Sequence, residues 1–90
     1  MDTNKIILIT GTRKGIGRYL SEYYLERGFL VIGCSRGESD LNHPRYDHFC
    51  VDVADERAVI EMIASARNRH GRIDYLVSSR VNIFIAPLQM

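Results

Sequence analysis

Ninety residues leave room for one compact unit, and no second domain is expected within them, since a single globular domain usually takes ~100 to 150. With 46% apolar and 26% charged residues and only two prolines, the composition is that of a folding chain and excludes a disordered tail. A formal net charge of +1, with arginines scattered from Arg13 to Arg80, excludes a strongly basic nucleic-acid footprint.

Lys5 to Thr10, KIILIT, is a continuous β-rich apolar run of the kind expected when both faces of a strand are buried. Gly11, Gly15 and Gly17 interrupt it. Ile16, Leu20 and Tyr23 or Tyr24 then recur at helical spacing, predicting a helix over Gly15 to Arg27 that Gly28 closes. Phe29 to Ser35 is a second buried strand, and the polar stretch Glu38 to Arg45, with Asn42, His43 and Pro44, predicts a loop. His48 to Asp52 is read as a third short strand. Asp55 caps a second helix whose apolar face is Val59, Met62, Ile63 and Ala66, and Gly71 ends it. Arg67, Arg69, His70 and Arg72 fall at that helix end, where basic side chains suit the dipole and the last carbonyls. Ile73 to Ser78 is the fourth strand. Beyond it lies Ser79 to Met90, with an apolar NIFIAPL segment whose Pro87 prevents an uninterrupted helix.

Strands alternating with helices imply βαβ crossovers, hence an α/β fold with a parallel sheet and right-handed connections. A unit this small has marginal stability, and with nothing paired beyond strand four that strand is expected to be an exposed edge inviting self-association. The N-terminal MDTNKIILITG has no A-x-A cleavage pattern and is not expected to be a signal peptide. No apolar stretch approaches the ~20 residues that span a bilayer, so neither membrane nor nucleic acid is an expected partner and the chain is expected to be cytoplasmic. Cys34 and Cys50 each lie in an apolar run and are expected to be small buried thiols, with no disulfide implied. His43, His48 and His70 have no metal-ligand spacing with them, and no metal site is expected.

The chemistry is carried by Thr10-Gly11-Thr12-Arg13-Lys14-Gly15-Ile16-Gly17, which joins a predicted strand to a predicted helix. Gly11 lets the chain turn off the strand, Gly15 lets a pyrophosphate approach the backbone, and Gly17 lets the helix pack close to the sheet. The unpaired N–H groups and positive dipole end of the helix then make an anion site; the alternative is a glycine-rich turn that binds nothing. At the end of strand two an acidic residue would accept from ribose hydroxyls and select NAD, whereas an Arg would pair with a 2'-phosphate. This chain has Ser35 and Arg36, with Lys14 on the facing loop, which favours NADP over NAD unless both cations are merely solvated surface charge. Asp52, followed by Val53, stands where a carboxylate accepts from an adenine amino group or caps the following helix.

These residues resemble the classical short-chain dehydrogenase/reductase family. TGTRKGIG matches that family's cofactor loop rather than the G-x-G-x-x-G of other Rossmann enzymes, and Cys34-Ser35-Arg36, Val51-Asp52-Val53 and Gly71-Arg72-Ile73-Asp74-Tyr75-Leu76-Val77 follow in its order. The resemblance implies part of a doubly wound, Rossmann-like parallel sheet of strand order 3-2-1-4. It also implies NADP in the crevice between strands one and four, and hydride transfer to a carbonyl. On it Gly11, Lys14, Gly15, Gly17, Arg36 and Asp52 look like the family's cofactor contacts, and Arg13, Ile16, Ser35 and Val53 beside them are expected to complete the cofactor site.

Two departures stand against the family pattern. Ser78-Ser79-Arg80-Val81 replaces the usual Asn-Asn-Ala-Gly after strand four, putting a bulky Arg80 where small residues let the dinucleotide pass. The family's catalytic acid is a Tyr followed four residues later by a Lys that lowers its pKa. Here Tyr19, Tyr23, Tyr24, Tyr46 and Tyr75 are followed at that spacing by Tyr23, Arg27, Gly28, Cys50 and Ser79. The expectation is therefore the N-terminal, cofactor-binding half of a reductase, inactive alone. The alternative is a non-catalytic nucleotide-binding or interaction module.

Overall fold

Ile6–Thr10 is buried at every residue, which requires cover on both faces and a neighbour on each side. A computed structural model, which describes residues 4–78 and the backbone of 84–87, provides all of these. Its elements are β1 (Ile6–Thr10), α1 (Gly15–Glu26), β2 (Leu30–Ser35), β3 (Tyr46–Cys50), α2 (Glu56–His70), β4 (Tyr75–Ser78) and β5 (Phe84–Pro87). The sheet order is β3-β2-β1-β4-β5, parallel through the first four positions, so the expected 3-2-1-4 α/β arrangement is present.

Alternation along β1 divides the core. Ile7 and Ile9 join Leu25, Val31 and Val77, with Leu20 and Tyr24 of α1 packed against them. Ile6 and Leu8 join Ile32, Cys34, Ile73 and, from α2, Met62 and Ala66. Each face of the sheet thus carries one helix, and the strand ends converge on one rim: Thr10 pairs with Cys34, and Ser35 with Cys50.

The helix boundaries follow local chemistry. Asp55 caps α2 by accepting the Ala58 N–H at 3.2 Å, and Gly71 closes it through the Arg67 carbonyl at 2.7 Å. After α1, the Gly28 N–H bonds the Leu25 carbonyl and the Phe29 N–H bonds the Tyr24 carbonyl, both at 3.1 Å, a Schellman closure that sends the chain into β2.

Several expectations require correction. Strand three begins at Tyr46 rather than His48 and ends at Cys50, because the Tyr46 N–H bonds the His43 carbonyl at 3.0 Å and pairing with Val31 starts there. Strand four covers Tyr75–Ser78; Ile73 and Asp74 precede it, with Asp74 turned into bonds to the N-terminal end of β1. Strand four is not an edge. β5 lies antiparallel along it, Tyr75 opposite Pro87 and Ser78 opposite Phe84, so the unpaired groups that motivated the self-association expectation are engaged. Cys34 is buried but Cys50 is exposed: it ends the outermost strand, on the face opposite Phe49, which packs on the α2 side. The Ser79, Arg80 and Val81 departure lies outside the described residues.

Candidate functional site

A cleft of about 640 Å³ opens at the rim where β1, β2 and β3 end. It is lined by Gly11, Arg13, Lys14, Gly15, Ile16 and Gly17 from the first turn and helix, and by Ser35, Arg36, Gly37 and Val51 to Ala54 from the two neighbouring strand ends. Every residue picked out from the sequence as a cofactor contact is therefore brought to one cavity; Gly37, Val51 and Ala54 join them.

The first wall is the glycine loop. It leaves β1 by crossing to β2, where the Cys34 carbonyl accepts from the N–H groups of Gly11 and Thr12 at 2.9 and 3.1 Å. Gly15 has φ +66, a left-handed conformation that costs an L-residue about 1–2 kcal/mol, and a Cβ there would meet nothing of the protein within 4 Å. Gly15 itself lines the cleft. Lys14 precedes α1 in extended conformation without a side-chain cap, and the first turn holds no acidic residue. The leading N–H groups of a helix have no partner within it, so this end carries partial positive charge towards the cleft.

The second wall is basic. Arg36 and Lys14 are exposed and form no ion pair among the described residues. The Arg13 guanidinium lies over Gly37, its Nη1 3.1 Å from where a Cβ on that glycine would be. Arg18 differs: it bonds Glu22 at 2.7 Å and Asp40 at 2.6 Å, so its charge is already balanced. Those bonds raise the Arg18 pKa, and the same guanidinium holds the Asp40 carboxyl below its ordinary range. A second cavity of about 370 Å³, bordered by Arg13, Lys14, Arg18, Glu38 and Asp40, adjoins the first through the shared cations.

On the third side, Asp52 Oδ1 accepts the Ala54 N–H at 2.9 Å, and its backbone carbonyl accepts from Asp55. The turn into α2 thus uses one carboxylate oxygen. Val53 both lines the cleft and packs against the α2-side core.

Behind the cleft is a polar chain that the motif reading passed over. Thr12, fully buried, has Oγ1 2.7 Å from the Tyr46 hydroxyl, which is 2.8 Å from His48 Nδ1. His48 Nε2 lies 2.9 Å from the Gly37 carbonyl and 3.2 Å from Ser35 Oγ. Ser35 Oγ also donates to the Gly37 carbonyl at 2.7 Å, so Ser35 serves the turn carrying Arg36. Burial pushes the Tyr46 phenol pKa up against the opposing bonds from Thr12 and Ser39, so the hydroxyl keeps its proton. The signal in the sequence was the Tyr46-x-His48 spacing, which puts both side chains on one face of a strand.

The cleft geometry fits a dinucleotide phosphate: orphan N–H groups, an open glycine and surrounding cations converge without an acidic side chain on the helix end. Comparison with known proteins agrees. Residues 5–80 match the family model described as short chain dehydrogenase. The chain is 32% identical over 85 residues to L-xylulose reductase of Bos taurus, covering 89% of this chain and 33% of that protein. Among solved structures it is similar to a short chain dehydrogenase of Leptospira borgpetersenii with bound NAD+, at 25% identity and TM-score 0.76 over 86% of this chain and 31% of that one. It is similar also to ElxO with NADP bound, at 29% identity and TM-score 0.77 over 86% and 35%. The chain spans about a third of the length of these relatives.

Proposed function

The chain belongs to the short-chain dehydrogenase family, and from that premise we propose that its cleft binds NADP(H), in preference to NAD(H), as the cofactor-binding part of a carbonyl reductase. One observation carries the reading: Arg13, Lys14 and Arg36 flank the same cavity as the uncapped end of α1. Gly11, Gly15, Ile16 and Gly17 hold the pyrophosphate through backbone N–H groups, while Arg36 and Lys14 meet the 2'-phosphate and Arg13 supports them. Asp52 offers its second carboxylate oxygen to the adenine amino group, and Ser35 and Val53 shape that end. The bound cofactor supplies a hydride. A proton must reach the carbonyl oxygen, and no Tyr in these residues is followed by Lys at the spacing that would deliver it, so turnover requires a Tyr and Lys from outside them.

The second reading is a nucleotide-binding module without chemistry of its own, which the same cleft would serve. Adding the missing catalytic segment of a relative as a separate polypeptide separates the two: restored carbonyl reduction supports the reductase, and binding without turnover supports the module. The cofactor assignment is tested by titrating the chain with 2',5'-ADP and with AMP. A charge-assisted bond to an ionised phosphate contributes roughly 1.5 to 3 kcal/mol, so Arg36→Ala should weaken 2',5'-ADP by about one to two decades and leave AMP nearly unchanged. Equal binding of the two ligands by the wild type contradicts the assignment.

A further inference from the structure

The turn that carries Arg36 is held from outside the cleft. His48 is absent from the residues lining either cavity, yet its ring joins both walls. The Gly37 carbonyl can only accept, which assigns the proton of a neutral ring to Nε2 and leaves Nδ1 to accept from the Tyr46 hydroxyl. Through Nε2 the ring fixes the Ser35 to Gly37 turn; through Tyr46 and Thr12 it reaches the glycine loop. The Gly37 backbone it fixes is also the surface on which the Arg13 guanidinium rests, so one ring sets the relative placement of Arg13 and Arg36.

We propose that His48 is a positioning residue for 2'-phosphate selectivity: by holding the Gly37 carbonyl and, through Tyr46, Thr12, it sets the spacing of the cations that distinguish a 2'-phosphorylated adenosine from a plain one. This rests on the NADP reading above. A residue that merely supported the fold would, when lost, weaken both ligands together. A positioning residue lowers their ratio, because the turn that its Nε2 holds directly carries Arg36, the cation that meets the 2'-phosphate.

The test is calorimetric titration of the full 90-residue chain with 2',5'-ADP and with AMP, using wild type, His48→Phe, His48→Gln and His48→Asn. With a hydrogen bond in this position controlling a charge-assisted contact, His48→Phe should lower the ratio of the two affinities by roughly tenfold and change AMP binding less than about twofold. His48→Gln, whose amide reaches as far as Nε2, should restore most of the ratio; the shorter His48→Asn should not. If far-ultraviolet circular dichroism shows His48→Phe unfolded, the contrast between Gln and Asn decides alone. A selective wild type with equally selective Phe or Asn variants overturns the proposal, as does parallel weakening of both ligands. A wild type that does not discriminate overturns the NADP reading, and this proposal with it.

Discussion

The Tyr46 hydroxyl reaches Thr12 Oγ1, 2.7 Å away, by passing over Gly33 of the intervening strand. A Cβ on Gly33 would lie 2.2 Å from that hydroxyl and 2.6 Å from Thr12 Oγ1, so the outer strand is linked to the glycine loop only because β2 has no side chain at the crossing. Gly33→Ala should therefore destabilise the chain by about 1–3 kcal/mol through overpacking. Tyr46→Phe removes the bonds to Thr12 and His48 at about 1 kcal/mol each and leaves the buried Thr12 hydroxyl with only its long bond to Cys34, so it should cost about 1–2 kcal/mol, no more than Gly33→Ala, which displaces the same hydroxyl and overpacks the crossing. Urea denaturation of the two variants checks the order; an unchanged midpoint for Gly33→Ala would mean that Tyr46 does not occupy the crossing.

Gly15 separates binding from stability in a different way. Its left-handed φ of +66 makes any side chain strained, while no protein atom lies within 4 Å of where its Cβ would be, and the residue lines the cleft. Gly15→Val should lower stability by about 1–2 kcal/mol and also remove measurable binding of 2',5'-ADP. Undiminished affinity in a folded variant would place the phosphate elsewhere.

Acid should loosen the contact between Asp74 and the start of β1. Asp74 Oδ2 accepts the Ile6 N–H at 2.8 Å, and Arg72 bonds both carboxylate oxygens at 3.0 Å while also donating to the Asn4 carbonyl. Burial would raise this carboxyl's pKa, but the Ile6 and Arg72 bonds outweigh it and hold the pKa below the usual value. A folded-state pKa below the unfolded ~3.9 gives stability that is present above that pH and lost as pH falls through the folded value. Asp74→Asn, which keeps an acceptor for Ile6 but loses the charge, should cost about 1 kcal/mol at pH 7 and flatten the acid limb of the stability curve. An acid limb identical to wild type would show that other carboxylates control it.

Carbonyl reduction by the chain alone should stay at background with NADPH and a panel of ketones, aldehydes and quinones, because no general acid is positioned by a lysine. Turnover that survives removal of contaminating reductases would mean that another group delivers the proton.

How much of this was legible in the sequence depended on whether the determining contact was local. The KIILIT run, the glycine loop and the Asp55 cap act within a few residues, and the structure has them where the pattern indicates. Arg36 and Asp52 could be assigned to one rim because parallel strands of similar length end together. Tyr46 falls outside the expected third strand because Pro44 and the polar residues before it resemble loop, and the scaffold role of Tyr46 and His48 rests on bonds to Thr12 and Gly37, distant in sequence. β5 is not among the expected strands, because Pro87 in the NIFIAPL segment says only that no uninterrupted helix forms there; a proline is tolerated at the end of an antiparallel edge strand.

On the NADP reading, the glycine loop and the ends of the second and third strands form one phosphate-selective nucleotide site. That reading is tested most directly by following backbone amide resonances during titration with 2',5'-ADP and then AMP. Shifts should concentrate at Gly11 to Gly17, Ser35 to Gly37 and Val51 to Ala54, with Arg36 and Gly37 responding to 2',5'-ADP and little to AMP. Shifts scattered over the helices, or the same response at Arg36 to both ligands, would contradict it.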